Sequence, residues 1–110
     1  MLYEIQIYKP GAGKSPYEKW FLALNDQRTR QIVQIRLDRA ALGHLGDVKA
    51  LGEGLLELRI DYGPGLRIYC SVQGAKILLL LAGGDKKTQA KDILKAKSFL
   101  QNWKKYGLKS

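Results

Sequence analysis

Residues 56–81 constrain the chain most: three strand-like runs follow one another with only short turns between them. Leu56, Leu58 and Ile60 alternate with Glu57, Arg59 and Asp61, and Tyr62-Gly63-Pro64-Gly65 then turns the chain. Leu66, Ile68, Cys70 and Val72 alternate with Arg67, Tyr69, Ser71 and Gln73, and Gln73-Gly74-Ala75-Lys76 makes a second turn. The third run, Ile77-Leu78-Leu79-Leu80-Leu81, is apolar at every position. Alternation marks strands with one apolar face, whereas an unbroken apolar run marks a strand covered on both faces. The third run is therefore expected at a central position in the sheet, as the last strand of a three-strand meander.

The flanking segments supply one more strand and three helices. Leu2 to Tyr8 alternates Tyr3, Ile5 and Ile7 with Glu4 and Gln6, a half-buried strand that Pro10-Gly11-Ala12-Gly13 ends. Ser15-Pro16-Tyr17-Glu18 is a helix start, with Ser15 as cap, Pro16 at the first helical position and Glu18 completing a capping box. That helix runs to about Leu24, and Asn25-Asp26 recaps a second one from Gln27 to Leu42, stopped by Gly43. Val33, Leu37, Ala40 and Ala41 form its apolar face. Residues 43–54 read as a Gly-containing loop, and Gly83-Gly84-Asp85-Lys86-Lys87-Thr88 as a polar Gly-rich loop. A last helix spans about Thr88 to Tyr106, with Ile93, Ala96, Leu100 and Trp103 on its buried stripe and Gly107 at its end. The order β-α-α-β-β-β-α gives an α+β class: a mostly antiparallel four-stranded sheet with an N-terminal helical hairpin and a C-terminal helix. The 110 residues read as one domain spanning 1–110.

Charge narrows the partners. Residues 1–53 carry 8 basic and 6 acidic side chains, while residues 54–110 carry 11 and 4. The excess thus sits in the half that holds the meander and the last helix, which favours a polyanionic partner there, nucleic acid before an acidic protein. A merely soluble basic protein is the plain alternative. The start of the chain alternates instead of forming the apolar run of a signal peptide, and the stretch from Ile77 to Ala82 is too short to span a bilayer. Cys70 is the only cysteine, so no internal disulfide forms and the cytoplasm is the natural compartment. With His44 as the only histidine, the usual zinc sites are excluded, and neither metal nor cofactor is expected.

Strand alternation places the chemistry. With both apolar sets of the first hairpin in the core, Glu57, Arg59, Arg67 and Tyr69 are expected to emerge together on one surface, with Lys86 and Lys87 at its rim. Two guanidiniums and one or two ammoniums can grip a phosphodiester and stabilise the charge that builds on it. RNA cleaved by attack of its own 2′-OH needs no metal. Tyr69 and a lysine of lowered pKa are the available proton handlers. Glu57 and Arg59 pairing with other charges on a solvated strand face is the competing structural reading. His44 has no partner acid or nucleophile, and Cys70 points inward. Trp20, Phe21, Phe99 and Trp103 fall at helical spacings that suit a core. The lysines of the last helix, Lys91 and Lys95 among them, form either a solvated face or a track for an RNA or ribosomal backbone. Gly83 to Thr88 lacks the spacing of a nucleotide-binding phosphate loop.

Several of these pieces together resemble a known family. They are Leu56-Glu57-Leu58-Arg59-Ile60, Gly65-Leu66-Arg67-Ile68-Tyr69, the apolar strand and Gly84-Asp85-Lys86-Lys87-Thr88-Gln89, preceded by Gly46-Asp47-Val48-Lys49 and Gly52-Glu53-Gly54. The combination is similar to the HigB-like, phage Gp49-like "addiction module killer protein" branch of the RelE/ParE toxin superfamily. The resemblance implies a RelE-like fold and a type II toxin–antitoxin module. It also implies an endoribonuclease, or mRNA interferase, that inhibits translation by cutting mRNA on the ribosome. Carried over by position, it points to Arg59, Arg67 and Lys86 or Lys87, with Lys49 a looser match. A helix-turn-helix antitoxin is the implied partner, with DNA reached through the antitoxin complex. Relatives that place His or Tyr at the start of the last helix differ from this chain, which reads Thr88-Gln89-Ala90-Lys91-Asp92 there. ParE-like relatives inhibit DNA gyrase instead, and a non-toxic basic nucleic-acid-binding domain is a third expectation.

Overall fold

The computed structural model describes residues 2–106. Strand β1 (Glu4–Ile7) leads to helices α1 (Pro16–Leu22) and α2 (Gln27–Ala41). Strands β2 (Val48–Ala50), β3 (Leu56–Ile60), β4 (Leu66–Gln73) and β5 (Ile77–Asp85) follow, then a 3-10 turn (Lys86–Thr88) and α3 (Gln89–Tyr106). The expected helix starts are present. The Ser15 hydroxyl accepts from Glu18 N at 3.1 Å with Pro16 behind it, and Asp26 accepts from Arg28 N at 3.2 Å. The Glu18 carboxylate lies 3.9 Å from Lys9, so the second half of the capping box is replaced by an exposed ion pair. Gly43, with φ of 94°, follows the last turn of α2, a left-handed position that suits glycine. The stop expected at Gly107 lies outside the described residues.

The sheet is five-stranded and mixed, in the order β1-β5-β4-β3-β2. β1 runs parallel to β5, and the other three pairings are antiparallel. This corrects the four-stranded, mostly antiparallel sheet expected from sequence. The fifth strand is β2, inside the segment expected as a loop. Its three residues are too few to show a period, and Gly46 and Gly52 flank them. The second correction concerns Gly83, Gly84 and Asp85, which continue β5 instead of forming a loop, opposite Ile68, Arg67 and Leu66. Both glycines permit a close approach. A Cβ on Gly83 would fall 2.1 Å from Trp20 Cε3, and one on Gly84 would fall 1.9 Å from Asp92 Oδ2.

Both faces of the sheet are covered. The helical hairpin packs Tyr17, Val33, Leu37 and Ala40 against Leu58, Ile60, Ile68, Cys70, Leu78 and Leu80. On the opposite face α3 packs Ala96 and Leu100 against Tyr69, Leu79, Leu81 and Leu55. β5 therefore contributes alternate leucines to two cores, as its unbroken apolar run requires. Trp20 and Phe21 pack against the first core, and Phe99 and Trp103 against the second. Burial pushes the Cys70 thiol up to about 12, so it stays protonated as a small core residue.

Candidate functional site

The β2–β3–β4 register aligns two rows of side chains on the α3 face. Arg59 stands opposite Arg67, which stands opposite Gly84, and Asp47, the residue before β2, completes this row by accepting from Arg59 N through its carbonyl at 2.9 Å. The second row is Lys49, Glu57, Tyr69 and Ala82. Side chains opposite one another in an antiparallel pair share a face. Arg59 and Arg67 therefore project to the same side from adjacent strands, as their alternation predicts.

The rows differ in their access to solvent, which corrects the expectation that all four polar side chains emerge together. Glu57 and Tyr69 are each 0% exposed. The hairpin already occupies one face of the sheet, so α3 must bury its apolar stripe on the other, and it covers this row. Arg67 lies at the margin, its side chain 12% exposed, and Arg59 lies outside at 40%. Burial holds the Tyr69 hydroxyl well above its ordinary pKa, the charges of Glu57 and Asp92 add to the rise, and Arg67 opposes it. Tyr69 is thus a neutral core phenol sealed from solvent, and neither an acid nor a base poised near neutral pH.

Both guanidiniums have protein partners. Arg59 donates from Nε at 3.1 Å and Nη2 at 2.9 Å to Asp47 Oδ1, in an exposed pair. Arg67 Nε lies 3.5 Å from Glu57 Oε2, and Nη1 donates to the Gly65 carbonyl at 2.8 Å. Gln89 Nε2 donates to the same Glu57 oxygen at 2.9 Å, tying the start of α3 to the sheet. Arg36 of α2 braces the outer edge from below. Its half-buried guanidinium donates to the carbonyls of Asp47 at 3.0 Å and Arg59 at 3.3 Å, and to that of Leu45. Burial lowers its pKa.

The lysines divide by position. A Cβ on Gly65 would lie 3.6 Å from Lys86 Cβ and 3.3 Å from Arg67 Nη1, so the β3–β4 turn brings Lys86 beside Arg67. Lys86 and Lys87 are exposed on the 3-10 turn, Lys91 and Lys95 on α3, and Lys49 on β2 at the far end of the buried row. None of the five joins an ion pair among the described residues. Asp85 accepts from Lys87 N at 2.8 Å and Thr88 N at 3.2 Å, so its carboxylate occupies amides that a phosphate would use. His44 is exposed in the loop before β2.

Sequence reasoning missed three contributors. Asp47 sits on the unseen strand edge, Gln89 reaches Glu57, and Asp92 packs over Gly84 while accepting from the Thr88 hydroxyl. The spacing from Thr88 to Asp92 is one helical turn, a signal that could have placed both on one face. No group of metal-ligating side chains occurs among the described residues, and no described helix is long and apolar enough to cross a membrane.

Residues 19–100 match the family model described as Phage derived protein Gp49-like (DUF891). The matched span holds every site residue named above. An uncharacterised protein of Haemophilus influenzae is 40% identical over 85 residues, covering 77% of this chain and 86% of the relative.

Proposed function

The chain belongs to the phage-derived Gp49-like family, which is associated with toxin–antitoxin modules, and we propose that it is the toxin of such a module. Its proposed activity is that of a ribosome-dependent mRNA endonuclease of the RelE/HigB type. The observation that carries this reading is the direct pairing of Arg59 with Arg67 on adjacent strands, with Lys86 beside Arg67. A scissile phosphate between these groups gains charge as the 2′-OH attacks, and fixed guanidiniums meet that charge without reorganising. The nucleophile is part of the substrate, so the reaction does not call for a metal-activated water. Lys87, exposed next to this rim, is the proposed proton handler together with Lys86. Tyr69 supports the site only from beneath. Lys49, Lys91 and Lys95 are proposed to follow the RNA or ribosomal backbone.

The excess of positive charge also suits an acidic segment of a helix-turn-helix antitoxin covering the same rim, through which the complex reaches DNA. The substrate places the activity in the cytoplasm. Induced expression without the antitoxin, followed by pulse labelling, tests the reading. Protein synthesis is expected to stop before DNA synthesis. Early arrest of DNA synthesis, with inhibition of purified gyrase, identifies a gyrase poison, and unimpaired growth with folded protein identifies a harmless nucleic-acid-binding domain.

Asp47→Asn is a further check on Arg59. Both partners are exposed, so urea denaturation is expected to show a change below about 1 kcal/mol. RNA affinity is expected to rise, because the carboxylate that competes for the Arg59 fork is neutralised.

A further inference from the structure

Among the described residues, three of the four buried side-chain polar atoms without a hydrogen bond belong to one cluster: Glu57 Oε1, Arg67 Nε and Tyr69 OH. Glu57 and Tyr69 are directly opposed, and Arg67 lies two residues before Tyr69 on the same face. Nearly all buried polar atoms in folded proteins are paired. A fully buried carboxylate is costly even with one amide donor and a guanidinium 3.5 Å away, and an apolar side chain of similar volume fills such a position at lower cost. Stability therefore gives no reason for Glu57. Its geometry toward Arg67 does.

A guanidinium presents three nitrogens in one rigid plane. In Arg67, Nε lies 3.5 Å from Glu57 Oε2, paired by charge without a formed hydrogen bond, and Nη1 donates to the Gly65 carbonyl at 2.8 Å. Nη2 makes no hydrogen bond with the described residues. Glu57 is itself held from above by Gln89. Gly65, at φ of 81°, leaves room for Arg67 Nη1, where a Cβ would lie only 3.3 Å away.

Resting on the endonuclease reading, we propose that Glu57, clamped by Gln89, is a positioning residue that fixes the Arg67 guanidinium plane so that its Nη2 edge meets the scissile phosphate. Glu57 is sealed beneath α3 and touches no substrate. Its role is to remove the rotational freedom that Arg67 would otherwise lose in the transition state.

The test uses the intact chain and its Glu57→Gln and Gln89→Ala variants, with two readouts. The first is 15N relaxation of the Arg67 Nε–H group, which does not depend on activity. The second is single-turnover cleavage of mRNA on saturating ribosomes, alongside ribosome affinity. Arg67 Nε–H is expected to be rigid in the wild type and mobile in Glu57→Gln. Cleavage is expected to fall about tenfold or more while affinity stays within about twofold, because the Arg67 charge remains. Gln89→Ala, which removes one hydrogen bond and no charge, is expected to move both readouts the same way by less, and it serves as the test should Glu57→Gln not fold. Arg67 order unchanged in the folded variants overturns the positioning role, as does cleavage at the wild-type rate. A wild type that cuts no mRNA refutes the endonuclease reading instead, and leaves the relaxation result to decide the positioning.

Discussion

Arg67→Ala is expected to destabilise the protein by about 3–5 kcal/mol, because it strands the Glu57 carboxylate beneath α3 with no opposing charge. Sequence alternation alone suggests the reverse, a solvated arginine that can be deleted without harm to the fold. The structure places its side chain at 12% exposure against a fully buried partner. Domains of this size are stable by only about 5–15 kcal/mol, so the loss is a large share of the total. Urea denaturation measures it. Glu57→Gln combined with Arg67→Met is expected to recover most of the loss, since no charge then remains buried. A toxicity assay on Arg67→Ala alone therefore reports folding as much as chemistry. Arg67→Lys separates the two. It keeps the positive charge but not the planar fork, and it is expected to lower cleavage by about 100-fold with a much smaller change in stability. Wild-type stability of Arg67→Ala would show that the Glu57 contact contributes nothing to the fold.

Gly83→Ala is the second large effect. The added Cβ would fall 2.1 Å from Trp20 Cε3 and 2.2 Å from Cδ2, and a ring wedged between α1 and β5 cannot swing aside as a flexible chain can. Overpacking of this kind costs about 1–3 kcal/mol, and the upper end is expected here. Gly84→Ala meets a shorter distance, 1.9 Å, but its neighbour is the tip of the partly exposed Asp92 side chain, which can rotate away. The order of the two losses should therefore be the inverse of the two distances. A Trp20→Leu background is expected to relieve Gly83→Ala specifically, and thermal unfolding of the four combinations gives the coupling. Equal losses for Gly83→Ala in both backgrounds would remove the indole as the cause.

These two residues also show where sequence stopped being legible. Gly83 and Gly84 look like a strand terminator because glycine lacks a strand preference. Their purpose appears only when the residues above them are known, one from α1 and one from α3. The meander itself was legible, because Leu56 to Leu81 carries its own period. So was the shared face of Arg59 and Arg67, which follows from alternation and pairing alone. Which part of that face remains open was not legible, since it depends on where α3 lands. Tyr69 thereby changed from a solvent-facing proton handler into a core phenol, and Glu57 from a surface charge into the buried partner of Arg67. Asp47 escaped notice because a strand as short as β2 leaves no periodic trace, yet it is the direct partner of Arg59.

Mapping mRNA ends after induced expression tests the central claim most directly. Cuts that recur at a fixed position within codons of translated messages, and that vanish in Arg67→Lys, are the expected result. Intact messages during growth arrest, or cuts that persist in Arg67→Lys, would contradict cleavage by the paired arginines.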